Sequence, residues 1–154
     1  MHPIISSASF RTFTGAVLLG VTLISSATSA ATIDVFRDPN CGCCSKWISY
    51  LQKNGYQVND HLQSDMDTFK KAQGIPDGLS SCHTGIIGGK FVEGHVPVEQ
   101  IALLAKRDDL LGVAAPGMPT GSPGMERGGV RDAYQIIGLT RHGDEEVVAS
   151  YEAQ

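Results

Sequence analysis

Three of the four cysteines in this chain lie within one four-residue run, Cys41-Gly42-Cys43-Cys44, and the fourth is Cys82. A deprotonated cysteine is both a nucleophile and a ligand for soft metals. Cys41 and Cys44 also have the C-x-x-C spacing of redox-active dithiols. Metal binding is therefore the first prediction for this cluster, and thiol–disulfide exchange is the second. Two structural disulfides are a third interpretation, which the adjacent positions of Cys43 and Cys44 make awkward.

The cysteine run lies between a predicted strand and a predicted helix. Residues 32–37 carry a strand pattern, Asp38-Pro39-Asn40 breaks it, and apolar residues then recur at helical spacing from Trp47 to Leu51. The first backbone N–H groups of a helix and the helix dipole favour the thiolate form of a cysteine. Several thiolates in one place repel one another unless protons or a cation neutralise them. A bound metal cation is therefore expected.

The spacing of the cysteines also bears on the identity of the metal. Zinc sites usually combine paired cysteines in two C-x-x-C-like spacings, and here the second pair is missing. The spacing does not match the common iron–sulfur patterns either. Copper(I) is soft and accepts low coordination numbers and bridging thiolates, so uneven spacing is less of an obstacle to it. Cys82 lies just before a predicted strand, and we expect the fold to bring it to face the cysteine-bearing turn.

Other soft or borderline donors follow along the chain. His83 adjoins Cys82 and His95 lies farther on, and both are candidate ligands or neighbours of the site. The alternative is that each is a loop histidine bonded to the backbone. Met118 and Met125 lie in a Gly- and Pro-rich loop, where their thioethers can cap a copper(I) site. We favour the other interpretation, in which they anchor the loop to the core as adaptable apolar side chains.

The order of the predicted elements indicates the fold class. After the first strand, the sequence predicts a helix ending at Asn54-Gly55, a strand over 56–62 and a helix over 66–73 capped by Ser64 or Asp65. A hairpin turning at Gly88-Gly89 and a helix over 98–106 opened by Pro97 follow. The chain then has a Gly/Pro-rich stretch over 111–129 and strands over 134–137 and 146–151. Parallel strands joined by a helix need a crossover connection, which this order supplies. The prediction is an α/β, thioredoxin-like fold, with a central mixed sheet flanked by helices, a Gly/Pro-rich loop and C-terminal strands.

The N-terminal residues have the order of an export signal. Residues 1–30 contain no acidic residue and one arginine, Arg11, followed by an apolar stretch over 15–24 and small residues over 25–31. The apolar stretch is shorter than the ~20 residues that span a bilayer. We therefore expect residues 1–30 to be a cleaved signal peptide and residues 31–154 to form one exported domain. An uncleaved membrane anchor is the alternative.

Composition narrows the expected partners. The formal net charge is −4, and the sequence has no basic run and no ladder of aromatic residues. Nucleic acid is therefore not an expected partner. No stable membrane span is expected once the signal peptide is removed.

Four motifs of the chain, in the same order, resemble those of a known family. They are Cys41-Gly42-Cys43-Cys44-x-x-Trp47, Ser81-Cys82-His83-Thr84, Glu93-Gly94-His95-Val96-Pro97 and the Met118–Met125 loop with its flanking glycine. On these motifs the chain resembles the CopG-like periplasmic copper-resistance proteins, a metal-binding family formerly described as a domain of unknown function. The resemblance covers about residues 33–151.

The resemblance implies a thioredoxin-like fold with a copper site in the periplasm. Carried over by motif, the implied ligands are Cys41, Cys43, Cys44 and Cys82, and the chain departs from the family pattern at none of them. The implied function is copper resistance or homeostasis, with Cu(I) held by the cysteines. Copper redox chemistry, transfer of copper to other periplasmic copper-handling proteins, and the number of copper ions stay open. A thiol–disulfide oxidoreductase that uses Cys41 and Cys44 is the alternative, so whether the protein is an enzyme also stays open.

Overall fold

The computed structural model describes residues 30–154, so residues 1–29 of the predicted export signal lie outside the described part of the chain. Its elements are β1 (Thr32–Arg37), α1 (Gly42–Lys53), β2 (Gln57–Leu62), α2 (Met66–Ala72), β3 (His83–Ile87), β4 (Lys90–Glu93), α3 (Val98–Leu104), β5 (Leu110–Ala114), β6 (Tyr134–Thr140) and β7 (Glu145–Tyr151). The seven strands form one sheet in the order β2-β1-β3-β4-β5-β6-β7. No helix between residues 30 and 154 is long and apolar enough to cross a membrane.

The sheet mixes parallel and antiparallel pairs, as predicted. β1 pairs in parallel with β2, to which α1 connects it, and antiparallel with β3. β4 pairs in parallel with β5, while the remaining neighbours are antiparallel. The predicted α/β class with a central mixed sheet is therefore confirmed.

One face of α1 builds the centre of the core. Trp47 and Leu51 are fully buried in the same cluster as Ile33 and Val35 of β1 and Val92 of β4. The helical spacing of apolar residues after the cysteine run therefore marks the face that packs on the sheet. This packing fixes where the first turn of α1, with its cysteines, meets the end of β1.

Local sequence signals place most element boundaries correctly. α1 ends at Lys53 with Asn54 as its C-cap, and the predicted stop at Asn54-Gly55 is confirmed. Asp65, one of two predicted caps, accepts a hydrogen bond from the Thr68 N–H at 3.0 Å and so begins α2. These are short-range effects of capping, which sequence reports well.

β5 is a strand that the sequence prediction missed. The Gly and Pro content of residues 111–129 predicts a loop, but Leu110–Ala114 pairs with both β4 and β6. Gly112 lies against the ring of Phe91, and a Cβ atom there would stand 2.3 Å from the ring's Cγ. A glycine inside a strand often marks such a close approach. β5 joins the predicted C-terminal strands to the sheet.

The loop after β5 crosses the cysteine-bearing end of the molecule. Gly124 has a φ of +83°, and a Cβ atom there would stand 2.8 Å from the backbone nitrogen of Trp47 in α1. At the other end of the same loop, the Gly117 carbonyl accepts a hydrogen bond from the Ser81 hydroxyl. The loop therefore contacts both chain segments that carry cysteines.

Candidate metal centre

The four cysteines meet at one end of the sheet. Cys41 is the N-cap of α1, and Cys43 and Cys44 lie in the first helical turn. Cys82 immediately precedes β3, whose first residue pairs with the last residue of β1. Because β1 leads into the cysteine run and runs antiparallel to β3, the sheet places Cys82 beside that run. The predicted approach of Cys82 to the cysteine-bearing turn is thus found in the structure.

The sulfur atoms are close enough to share metal ions. All four Sγ atoms lie within 4.8 Å of one another. The Sγ of Cys43 lies 3.5 Å from that of Cys41 and 3.8 Å from that of Cys82. Cys43 therefore lies close to both Cys41 and Cys82.

Two of the sulfurs are oxidised in this structure. Cys41 and Cys44 form a disulfide with their Cα atoms 5.4 Å apart, while Cys43 and Cys82 are half-buried free thiols. The bridge joins the two cysteines at the C-x-x-C spacing. A disulfide sulfur is not a thiolate, so all four cysteines can serve as thiolate ligands only after a two-electron reduction.

Two buried histidines extend the donor set. The Sγ of Cys82 lies 3.2 Å from the Nδ1 of His83 and 3.2 Å from the Nε2 of His95. These three donor atoms also lie within 4.8 Å of one another, so Cys82 belongs to both groups. The structure therefore brings both sequence-predicted histidines to the site.

The surroundings of the histidines set their protonation. The Nδ1 of His95 lies 2.8 Å from the Pro123 carbonyl oxygen, which can only accept a hydrogen bond. Nδ1 of a neutral His95 therefore carries the proton, and the lone pair of Nε2 faces Cys82. Burial lowers the pKa of both rings, and for His83 the neighbouring His95 lowers it further. Both side chains are thus kept in the neutral form that binds metals.

The buried His83 ring packs against Trp47. It lies 4.4 Å from the Trp47 ring, centroid to centroid, and its buried Nε2 has no hydrogen-bond partner among residues 30–154. This packing leaves Nδ1, the atom nearest Cys82, as the ring nitrogen available to the site.

The Cys82 thiol is protonated when no metal is bound. Burial raises its pKa to about 12, and the nearby Cys43 sulfur acts in the same direction. A soft cation would displace this proton and supply the positive charge that the buried thiolate otherwise lacks.

The two methionines of the loop have different positions. Met118 is 56% exposed and lines an open cleft of about 750 Å³ together with Tyr134 and Tyr151. The interpretation of Met118 as an anchor in the core is therefore wrong, because its side chain faces the cleft. Met125 is half-buried, next to the segment that packs on α1.

One feature beside the site has no signal in the sequence. Lys70 of α2 and Glu93 of β4 form a buried ion pair next to Ser81, the residue before Cys82. Lys70 looks like an ordinary surface lysine in a helix, and the sequence contains no signal that it is buried. Glu93 lies in the Glu93-Gly94-His95 motif, in which the sequence predicts a role at the site for the histidine alone.

Comparisons with known proteins agree with the motifs. A family model described as a protein of unknown function, DUF411, matches residues 79–125. No curated protein matches the chain. A solved structure titled copper resistance protein copG, form 1, is 55% identical, covers 80% of this chain and 98% of its own, and has a TM-score of 0.78. Form 2 is 56% identical over 79% of this chain and 98% of its own, also with a TM-score of 0.78. The chain therefore belongs to the family of the copper resistance protein CopG.

Proposed function

We propose that this protein serves copper resistance or homeostasis by holding Cu(I) through Cys41, Cys43, Cys44 and Cys82. The observation that carries the proposal is the convergence of four sulfur atoms from two distant chain segments to within 4.8 Å of one another. Thiolates select soft metals, and the relatives are named for copper resistance. The same donors in an exported protein fit copper that is captured outside the cytoplasm.

The donor set suits more than one copper ion. Cys82 is shared between the cysteine group and the group with His83 and His95. A thiolate can bridge two Cu(I) ions, and neutral imidazole is a further ligand for copper. His83 and His95 therefore belong to the proposed site, while Met118 and Met125 stay candidate outer ligands on a loop that contacts it.

We further propose that the Cys41–Cys44 pair exchanges electrons with copper. Two Cu(II) ions would each take one electron and become Cu(I). The two thiols would lose two protons and two electrons and form the S–S bond. In the resulting state Cys43, Cys82 and the two histidines still present free donor atoms. Copper would thus change oxidation state without losing all its ligands.

We also propose that residues 1–30 are a cleaved export signal and that residues 31–154 act in the periplasm, alone or with other copper-handling proteins. The support is the charge and apolar pattern of residues 1–30. Sizing the protein recovered from the periplasm by mass spectrometry tests this. A mass that retains residues 1–30, or recovery from the cytoplasm alone, would contradict it.

Anaerobic copper loading tests the central proposal. The purified protein, reduced and then titrated with Cu(I), is expected to retain copper after gel filtration, as measured by elemental analysis. Cys43→Ser and Cys82→Ser should each retain less copper, whereas Ser45→Ala, in the same helical turn, should behave like the wild type. The proposal is wrong if the reduced wild type retains no copper, or if both cysteine variants retain as much as it does.

The redox step has its own measurement. Reduced protein mixed anaerobically with Cu(II) should lose the mass of two hydrogens, with the new bond mapped to Cys41 and Cys44 by peptide analysis. Formation of a Cu(I)–chelator complex would report the reduced copper. If Cu(II) is not reduced while Cu(I) still binds, the protein is a carrier or buffer without redox activity.

The disulfide at the start of α1 also favours a second function, thiol–disulfide exchange with another protein. Insulin reduction by the metal-free protein separates the two functions. Activity that needs Cys41 and Cys44 but not Cys82 would support the oxidoreductase, and a lack of activity would exclude it.

A further inference from the structure

A buried ion pair lies directly behind the segment that carries Cys82. Lys70 of α2 and Glu93 of β4 are paired, with side-chain exposures of 6% and 0%. Removing two charges from water is costly, and the pair is retained only if its other polar atoms are also satisfied. A buried ion pair is thus weak evidence of a purely stabilising role, because apolar residues of similar volume often stabilise a fold as well.

Glu93 and Lys70 bind the two backbone polar groups of one residue, Ser81. The Glu93 Oε1 accepts a hydrogen bond from the Ser81 backbone N–H at 2.6 Å. The Lys70 Nζ donates to the Ser81 carbonyl oxygen, also at 2.6 Å. The backbone immediately before Cys82 is therefore fixed by two charge-assisted hydrogen bonds.

The same carboxylate also holds the chain on the other side of Cys82. Thr84 is fully buried, and its hydroxyl donates to the Glu93 Oε2 at 2.6 Å. The backbone N–H of Gly94, the next residue after Glu93, donates to the His83 carbonyl at 2.9 Å. The Glu93 carboxylate and the Gly94 backbone N–H therefore hold the chain on both sides of Cys82.

We propose that Glu93 is a positioning residue for the copper site, with Lys70 as its counter-ion. Its carboxylate oxygens bind Lys70, Ser81 and Thr84 rather than any cysteine or histidine of the site. It acts by fixing the backbone of Ser81 and the side chain of Thr84, so that the Cys82 sulfur faces Cys43 and His95. This inference rests on the proposed copper-binding function.

If Glu93 positions Cys82, its loss should remove the contribution of Cys82 to Cu(I) affinity. Glu93→Gln keeps the shape of the side chain but removes its charge, leaving Lys70 without its anionic partner. Residues that orient metal ligands typically change metal affinity by about tenfold to a hundredfold. We expect a loss of Cu(I) affinity in that range, while the cysteines on α1 keep their own geometry.

A double-mutant cycle separates positioning from general stability. Cu(I) affinity is measured anaerobically by competition with a chromogenic Cu(I) chelator for the wild type, Glu93→Gln, Cys82→Ser and the double variant. The affinity should fall in Glu93→Gln, but Glu93→Gln should cause no further loss once Cys82 is serine. Glu99→Gln, an exposed glutamate in the first turn of α3, is the matched control and should bind like the wild type.

A milder variant keeps the test decisive if Glu93→Gln does not fold, as judged by circular dichroism. Thr84→Val keeps the branched shape of the side chain and replaces its hydroxyl, the donor to Glu93, with a methyl group. It should lower the affinity by about threefold to tenfold, the size of one hydrogen bond, again only when Cys82 is present.

The outcomes distinguish this inference from the function on which it rests. A wild type that binds no Cu(I) overturns both. A wild type that binds Cu(I), with unchanged affinity in Glu93→Gln and Thr84→Val, overturns only the role of Glu93. An equal loss with and without Cys82 also overturns it, because a merely structural residue would have that effect.

Discussion

The Nε2 of His95 lies 3.2 Å from the Sγ of Cys82, while the Nδ1 of the same ring lies 2.8 Å from the Pro123 carbonyl oxygen. The imidazole thus connects the cysteine site to the loop that crosses it. The carbonyl orients the ring and selects its tautomer, a common arrangement for metal-binding histidines. The loop is therefore part of the site's architecture, although no cysteine lies on it.

This relationship predicts the effect of removing the ring. His95→Ala should lower Cu(I) affinity by about tenfold or more, because it deletes both a candidate ligand and the contact to the loop. Competition with a Cu(I) chelator measures the change. His142→Ala, an exposed histidine between β6 and β7, is the control and should leave the affinity unchanged. Equal affinities for the His95 variant and the wild type would remove His95 from the site.

Because the loop packs closely on α1, alanine substitutions at two of its glycines should lower the free energy of unfolding by different amounts. Gly124 and Gly129 have similar φ values, +83° and +82°, but only Gly124 would place a Cβ atom against the α1 backbone. Alanine at either position strains the backbone. Gly124→Ala should lower the free energy of unfolding by a further ~1–3 kcal/mol, because atoms are forced into a packed contact. Urea denaturation of the two variants compares them directly, and equal losses would show that this contact contributes nothing.

The hydrogen bond of Trp47 should contribute to the free energy of unfolding. The fully buried indole Nε1 donates to the Val96 carbonyl at 3.0 Å. Trp47→Phe leaves that carbonyl without its donor, so we expect the free energy of unfolding to fall by about 1–3 kcal/mol. Urea denaturation of the oxidised protein measures this loss. An unchanged unfolding free energy would mean that the hydrogen bond is replaced without cost.

Tyr134 predicts a loss of stability in alkaline solution. Burial, assisted by the Tyr151 ring stacked 4.6 Å away, raises the Tyr134 pKa to about 12, against about 10 in an unfolded chain. The fold favours the neutral phenol. The contribution of Tyr134 to the free energy of unfolding is therefore fully present below pH ~10 and is lost as pH rises towards ~12. Denaturation midpoints across this range should fall, and Tyr134→Phe should make the fall shallower. An identical slope in the variant would contradict the assignment.

Sequence patterns correctly predict that the cysteine run lies between a strand and a helix, because the signals for both elements are local. The strand pattern of β1, the break at Asp38-Pro39-Asn40 and the apolar spacing of α1 act within a few residues of one another. The same holds for the Asp65 cap. β5 was missed because its pattern is ambiguous, and Gly112 is explained only by the Phe91 ring that lies against it.

The sequence by itself determined that three cysteines stand at the start of a helix and that a fourth precedes a strand. Only the tertiary structure decided how these donors meet. The antiparallel pairing of β1 with β3 sets the distance from Cys82 to Cys43, and the approach of α2 to β4 buries Lys70 against Glu93. Both depend on contacts between residues far apart in the chain, which no local pattern encodes. For the same reason Met118 faces a cleft rather than the core, because the path of the loop after β5 decides its exposure.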